Sequence, residues 1–268
     1  MNNDLRVTLY EQAKAWIYRA GENIRRKMNE PLTVDTKANA KDLVTTMDKE
    51  TERYFAMNIK STYPGHKLLS EEGYGDRLQT LDGIVWIVDP IDGTMNFVEQ
   101  KRNFAISVGI YEDGVGEIGF IYNVMNDVLY SAKRGEGAFK NDQKLPRLQE
   151  DLKLEESLLS LTHYWLGDNP IVNKDDMVKL VQKVRGTRSY GSAALEFAMV
   201  AEGVLDGYLS MTLSPWDIGA GMIIVREVGG KTATVDGGKV NMLQNQPIVT
   251  AHPLIIDTII KKYLQKGK

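Results

Sequence analysis

Residues 84–97 read IVWIVDPIDGTMNF: an apolar run drives into two aspartates, a proline and a glycine, and then resumes as a helical segment. The near-continuous run of Ile, Val and Trp predicts a central strand. A strand that needed only a turn could end on Asn-Gly or Ser-Gly. Asp89 and Asp92 instead bring two carboxylates to the end of a buried strand, which is costly unless something cationic meets them. The expectation is that both project from either side of a turn stiffened by Pro90, and that Gly93 and Thr94 open a helix, TMNFVEQ. Free backbone N–H groups at a helix start make an anion site. Hard oxygen ligands beside such a site suggest Mg²⁺ paired with phosphate. With three histidines and no cysteine, zinc is disfavoured.

Working outward, residues 4–28 space Leu5, Leu9, Ala13, Trp16, Ile17, Ala20 and Ile24 as an amphipathic helix. A polar connector then leads to a second helix over 42–60. HKLLSEEG is a short strand ending on paired glutamates. Beyond the central strand, FAISVGIYEDGVGEIGFIYN and DVLYSAKRGEGAFKNDQKLP alternate apolar residues between Asp-Gly, Arg-Gly and Asn-Asp turns, an antiparallel meander. The chain turns polar near 143–150. After it, strands are expected at ESLLSLTHY, RGTRSYG, LDGYLS and QPIVTA, and helices over 175–184, 192–202, 215–228 and at the end. The expected fold class is α+β or mixed α/β, built of stacked layers. Its first part is 1–145, with helices and an antiparallel sheet. Its second is 146–268, an α/β part.

The 268 residues are 43% hydrophobic and 26% charged, with a net charge of −3, ordinary for a globular chain. Nothing in that balance suggests a nucleic-acid or membrane-surface partner. The start has no signal-peptide core and no run is long enough to span a bilayer, so the reading is a cytoplasmic protein with a small-molecule partner. Absence of cysteine removes disulfides and thiolate chemistry.

The candidate functional acids are Asp48, Glu71, Asp89, Asp92 and Asp217. Taken singly, each reads first as a turn residue or helix cap, and Asp82-Gly83 and Asp236-Gly237 are read as turns only. The six residues Asp89 to Thr94 differ by combining two acids with a helix start. Haloacid-dehalogenase-type phosphatases carry D-x-D-G-T with a phosphorylated first aspartate. Here the motif is D-P-I-D-G-T, and the extra residue re-aims the first acid, so no phosphoaspartyl intermediate is expected. His66, His163 and His252 are read as structural or surface residues.

These stretches resemble the inositol monophosphatase family of Mg²⁺-dependent, lithium-sensitive phosphatases over nearly the whole chain. WIVDPIDGTMNF is similar to its first signature and PWDIGAGMIIVREVGG to its second, with LVTTMDKETE, LLSEEG and GSAALEFAMVAEGVLDGYLS in the right order. The resemblance implies a layered α-β-α-β-α sandwich, usually a homodimer. It implies hydrolysis of a phosphate monoester by metal-activated water attacking in line, with two to three Mg²⁺ ions. Glu71, Asp89 and the Ile91 carbonyl would hold the first ion. Asp89, Asp92 and Asp217 would hold the second, and a weaker third would lie next to Glu71. Gly93 and Thr94 N–H groups would grip the phosphate, while Thr94 and Asp48 orient the attacking water.

The alcohol side is less determined. Gly191, Ser192 and Ala193 resemble the family's substrate-hydroxyl segment and read equally as a capped, close-packed helix start. Ser210 and Ser214 stand where animal inositol phosphatases carry a glutamate and a histidine, which weakens the case for inositol. NADP 2′-phosphate, fructose 1,6-bisphosphate and 3′-phosphoadenosine 5′-phosphate are alternatives. Tyr164 and Trp165 are candidates for stacking on a base or for packing. A non-catalytic phosphometabolite-binding protein is the rival of another class.

Overall fold

The computed structural model describes residues 1–30, 33–36 and 43–265. In chain order it has α1 (Asn3–Lys27), β1 (Val34–Thr36), β2 (Leu43–Thr45), α2 (Thr46–Thr62), β3 (Lys67–Ser70), β4 (Ile84–Asp92), α3 (Thr94–Gln100), β5 (Ala105–Glu112), β6 (Val115–Asn123), β7 (Val128–Lys133), β8 (Gly137–Lys140) and β9 (Gln143–Lys144). There follow β10 (Leu158–Leu161), α4 (Lys174–Lys183), β11 (Gly186–Arg188), α5 (Ala193–Glu202), β12 (Gly207–Leu213), α6 (Pro215–Glu227), β13 (Lys231–Thr234), β14 (Gln246–Ala251) and α7 (Pro253–Tyr263). Strands β3 to β9 form one sheet in sequence order. The second runs β11-β10-β12-β14-β13, and β1 pairs with β2 alone.

The β4 run explains the layering. Its side chains alternate: Trp86 and Val88 face α1 and α2, meeting Trp16, Ile17, Phe55 and Ile59. Val85 and Ile87 face the opposite way, toward Phe197, Ile218 and Ile223 of α5 and α6. A strand covered on both faces needs no polar alternation, hence the continuous apolar run. Tyr208 and Ile248 of the second sheet close the same middle core. The outer face of that sheet packs Leu159, Leu209 and Val249 on Met177, Leu180, Ile255 and Ile259 of α4 and α7. The result is a five-layer α-β-α-β-α sandwich. Helices α5 and α6 lie between two sheets and are apolar nearly all round, whereas α1 keeps a polar outer face. Each fully buried Leu, Ile or Phe contributes roughly 1.5–3 kcal/mol.

Helix α6 rests its backbone directly on β5 and β6. A Cβ on Gly109 would stand 2.9 Å from the carbonyl carbon of Gly219, and one on Gly119 would stand 2.7 Å from the Ala220 oxygen. That approach carries the first turn of α6, with Asp217, to the end of β4.

Several local expectations differ. No turn separates Asp89 from Asp92. β4 continues through both, with Asp89 opposite Ser107 and Asp92 opposite Ala105. Three steps on β4 thus match two on β5, which is a bulge holding one extra residue. Pro90 has no N–H to give the ladder and is tolerated at that irregularity. The strand at ESLLSLTHY stops at Leu161, and His163–Leu166 form a 3-10 turn. The sheet containing the meander is not wholly antiparallel, because β3 runs parallel to β4. Helix α2 begins at Thr46, after β2; residue 42 lies outside the described residues, as does the end of the basic tail. β13 had no counterpart in the sequence reading. Among the described residues no helix is long and apolar enough to cross a membrane.

Candidate active site

The bulge decides the site. Residues three apart on a regular strand point to opposite faces, and one extra residue returns them to the same side. Oxygens of Asp89, Asp92 and Asp217 accordingly lie within 4.8 Å of one another. Asp89 and Asp92 are buried and Asp217 is half-buried. Among the described residues no lysine, arginine or histidine forms an ion pair with Asp89 or Asp92.

Each carboxylate is held by backbone. Asp89 Oδ1 accepts the Ile91 N–H at 3.0 Å across the bulge. Asp92 accepts the Ser192 hydroxyl and the amides of Ala193 at 3.2 Å and Ala194 at 3.0 Å, at the start of α5. Asp217 Oδ2 accepts the Ser214 N–H at 2.7 Å. Hence Ser214 sits at the N-cap of α6.

Asp48 closes a capping box on α2, accepting Thr45 N–H at 2.9 Å and its hydroxyl at 2.5 Å. Its other oxygen accepts the Thr94 hydroxyl at 3.1 Å, and the Ile91 carbonyl lies at 3.1 Å from the same hydroxyl. Gly93 begins α3 at φ 90°, and a Cβ there would stand 3.1 Å from the Gly191 oxygen. Glycine is therefore required both for the left-handed backbone and for the contact. That contact brings the 191–193 segment against the 93–94 segment.

Burial, followed by the charges of Glu71, Asp92, Asp217 and Asp48, pushes the Asp89 carboxyl well up. Burial raises Asp92 to about 7, opposed by its Ser192 and Ala194 hydrogen bonds. Burial likewise raises Asp48, against the hydrogen bonds from Thr45 and Thr94. Ser70 pairs with Val88 in the parallel β3–β4 ladder, so Glu71 follows the end of β3 where Asp89 continues β4, and its charge adds to the rise of the Asp89 carboxyl. Clustered acids that resist ionising together, offering only hard oxygens, fit a divalent cation such as Mg²⁺.

Ser210 lies on β12 and donates to the Thr212 carbonyl at 3.2 Å, within its own strand. Trp165 is fully buried with its indole N–H on the Leu209 carbonyl at 3.2 Å, so it packs and cannot stack on a ligand. Tyr164 is exposed. His66 accepts the Trp86 indole N–H at 3.1 Å, and His252 lies 2.7 Å from the Gln149 carbonyl; both are structural.

Of the buried glutamates that escaped the sequence reading, two bear on these acids. Glu52 on α2 reaches the segment around Glu71. Glu196 on α5 accepts the Tyr190 N–H at 2.6 Å. The available signals were a spacing of four from Asp48 to Glu52, which puts both on one helix face, and a lone acid inside the apolar run AALEFAMVA.

A family model described as "Inositol monophosphatase family" matches residues 6–267. An inositol-1-monophosphatase of Bacillus subtilis (strain 168) is 50% identical over 258 residues, covering 96% of this chain and 97% of that protein. A crystal structure of SaIMPase-II with inositol monophosphate bound superposes with a TM-score of 0.86 at 39% identity, over 96% of this chain and 93% of that one. An IMPase/NADP phosphatase complexed with Mg²⁺ and phosphate gives a TM-score of 0.89 at 27% identity, over 98% and 97%. The family model covers residues 6–267, a range that spans both sheets and the positions of the acids above, so the chain belongs to the inositol monophosphatase family.

Proposed function

We propose that the protein is a Mg²⁺-dependent phosphomonoesterase that hydrolyses inositol monophosphate to the free alcohol and inorganic phosphate. The observation that carries this reading is the convergence of Asp89, Asp92 and Asp217 within 4.8 Å beside the Thr94–Asp48 pair. The relatives named above support it. In this reading Glu71, Asp89 and the Ile91 carbonyl hold one ion, Asp89, Asp92 and Asp217 a second, and two to three ions bind in all. Bound there, Mg²⁺ supplies charge neutralisation at the phosphoryl oxygens and acidification of water.

The chain's own groups do the rest. Thr94 Oγ1 already donates to Asp48 Oδ1, leaving its lone pairs to accept a proton from an attacking water. Asp48, raised by burial, receives the relayed proton, since a base closer to neutral pKa transfers protons more effectively. Gly93 and Thr94 N–H groups hold the phosphoryl oxygens. Water attacks phosphorus, the phosphorus bond to the alcohol oxygen breaks opposite, the departing oxygen takes a proton from solvent, and the alcohol leaves past Gly191, Ser192, Ala193 and Ser210, while Asp48 returns its proton to solvent.

Ser210 favours a second reading with the same chemistry and a different alcohol, including NADP, fructose 1,6-bisphosphate and 3′-phosphoadenosine 5′-phosphate. Phosphate release from these and from inositol 1-phosphate, with and without Mg²⁺, decides between them. Turnover of none of them would end the enzymatic proposal, and calorimetric binding without hydrolysis would favour a phosphometabolite-binding protein. Homodimeric assembly, cytoplasmic residence and lithium sensitivity are part of the proposal by family analogy. Light scattering, fractionation and a LiCl titration test them.

A further inference from the structure

Glu71 stands at the end of a four-residue strand, and residues 71–83 carry no regular secondary structure. An acid in such a setting would sample many positions, yet Ser70 pairs with Val88 in the parallel β3–β4 ladder, which sets Glu71 alongside Asp89. The side chain that reaches both sides of it is Glu52, which is fully buried. Glu52 Oε1 accepts the Ser70 hydroxyl at 2.8 Å and the Tyr74 N–H at 2.8 Å, while Oε2 accepts the Glu72 N–H at 2.5 Å. These donors straddle Glu71, and the carboxylate that accepts them comes from α2, the helix that also carries Asp48.

We propose that Glu52 is a positioning residue for the metal centre: its carboxylate clamps the backbone on both sides of Glu71 and fixes that side chain against Asp89. The proposal rests on reading Glu71 as a metal ligand. A carboxylate is needed because each oxygen receives a backbone N–H. A glutamine has one acceptor oxygen and turns an N–H₂ toward either Glu72 N–H or Tyr74 N–H, setting donor against donor in a buried place. Neither replacement geometry satisfies all three donors. Partners that orient a ligand without touching the metal affect its affinity strongly.

The test compares Glu52→Gln with wild type and with Glu50→Gln, an exposed helix residue paired with Lys27 at 2.8 Å. In Glu52→Gln the Mg²⁺ concentration for half-maximal phosphatase activity should rise about tenfold or more, while kcat at saturating Mg²⁺ changes far less. Calorimetric Mg²⁺ binding without substrate should weaken by the same factor. Amide hydrogen exchange at Glu72 and Tyr74 should speed up while α2 stays protected, and Glu50→Gln should match wild type. If Glu52→Gln does not fold, Ser70→Ala removes one donor and should show the same Mg²⁺ shift at smaller size. An unchanged Mg²⁺ requirement, or lost stability and kcat at an unchanged Mg²⁺ requirement, overturns the proposal. A wild type without Mg²⁺-dependent turnover would instead sink the phosphatase reading, and the exchange data would still decide the clamp.

Discussion

The Asp92 carboxylate accepts the hydroxyl of Ser192, 100 residues further along the chain, and binds the next two amides of α5 as well. One side chain thus joins the last residue of β4 to the helix sandwiched between the sheets. Any cation held by Asp92 is thereby held in register with the 191–193 segment.

Asp92→Asn removes a charge from the cluster and points an amide N–H₂ at one of those donors. Turnover should fall by more than about a hundredfold, beyond what residues outside the ligand shell cost. Ser192→Ala should lose less, because the Ala193 and Ala194 amides remain. Steady-state kinetics at saturating Mg²⁺, with circular dichroism to verify the fold, checks both; an active Asp92→Asn would refute the ligand assignment.

Thr94→Val keeps the shape and deletes the hydroxyl between Asp48 and the Ile91 carbonyl. A proton relay of this kind contributes about 10²- to 10⁴-fold, so kcat should drop by that order while Mg²⁺ affinity holds. Stability should change by about 1 kcal/mol, the worth of an ordinary hydrogen bond. A kcat near wild type would exclude the relay.

Proton and metal compete for the same carboxylates. Burial pushes the Asp92 carboxyl up to about 7, against about 4 for an unfolded aspartate. The folded state then binds the proton more tightly, so this contribution to stability is fully present below about pH 4 and is lost as pH rises through about 7. Asp89, Asp48 and Glu52 are raised too, each by burial first. The protein in EDTA should therefore melt lower at pH 8 than at pH 5.5, and Mg²⁺ should raise the melting temperature most at pH 8. A metal-free melting temperature that climbs over this interval would contradict the assignment.

Gly109→Ala places a methyl 2.9 Å from the Gly219 backbone. Backbone cannot swing aside as a side chain can, so α6 must lift from β5 at about 1–3 kcal/mol. Because α6 carries Asp217, Mg²⁺ affinity should weaken along with the melting temperature. Thermal melts and Mg²⁺ titration of the same variant measure both effects.

Much of this was legible in the chain. The period of α1 and the two-sided apolar run of β4 follow from local burial patterns, and so does the apolar character of α5 and α6. The acids could be nominated because carboxylates beside apolar runs are costly without a partner. The bulge was not legible: D-P-I-D reads as a turn until β5 is seen pairing on both sides of it. β13 was not legible either, since Lys231 is exposed, the other three residues are only partly buried, and all depend on β14 for their pairing. Trp165 looked as available to a ligand as Tyr164, because neighbouring residues in a loop carry no mark of which one the core takes.

Residue chemistry and period, then, determined from the sequence alone that this chain would bury two-sided strands and gather hard acids near a helix start. The tertiary structure alone decided that Asp89 and Asp92 share a face, that Asp217 meets them over two glycines, and that Glu52 braces Glu71. Those outcomes depend on pairing register and on backbone distances between segments far apart in the chain, and local preferences carry no information about either.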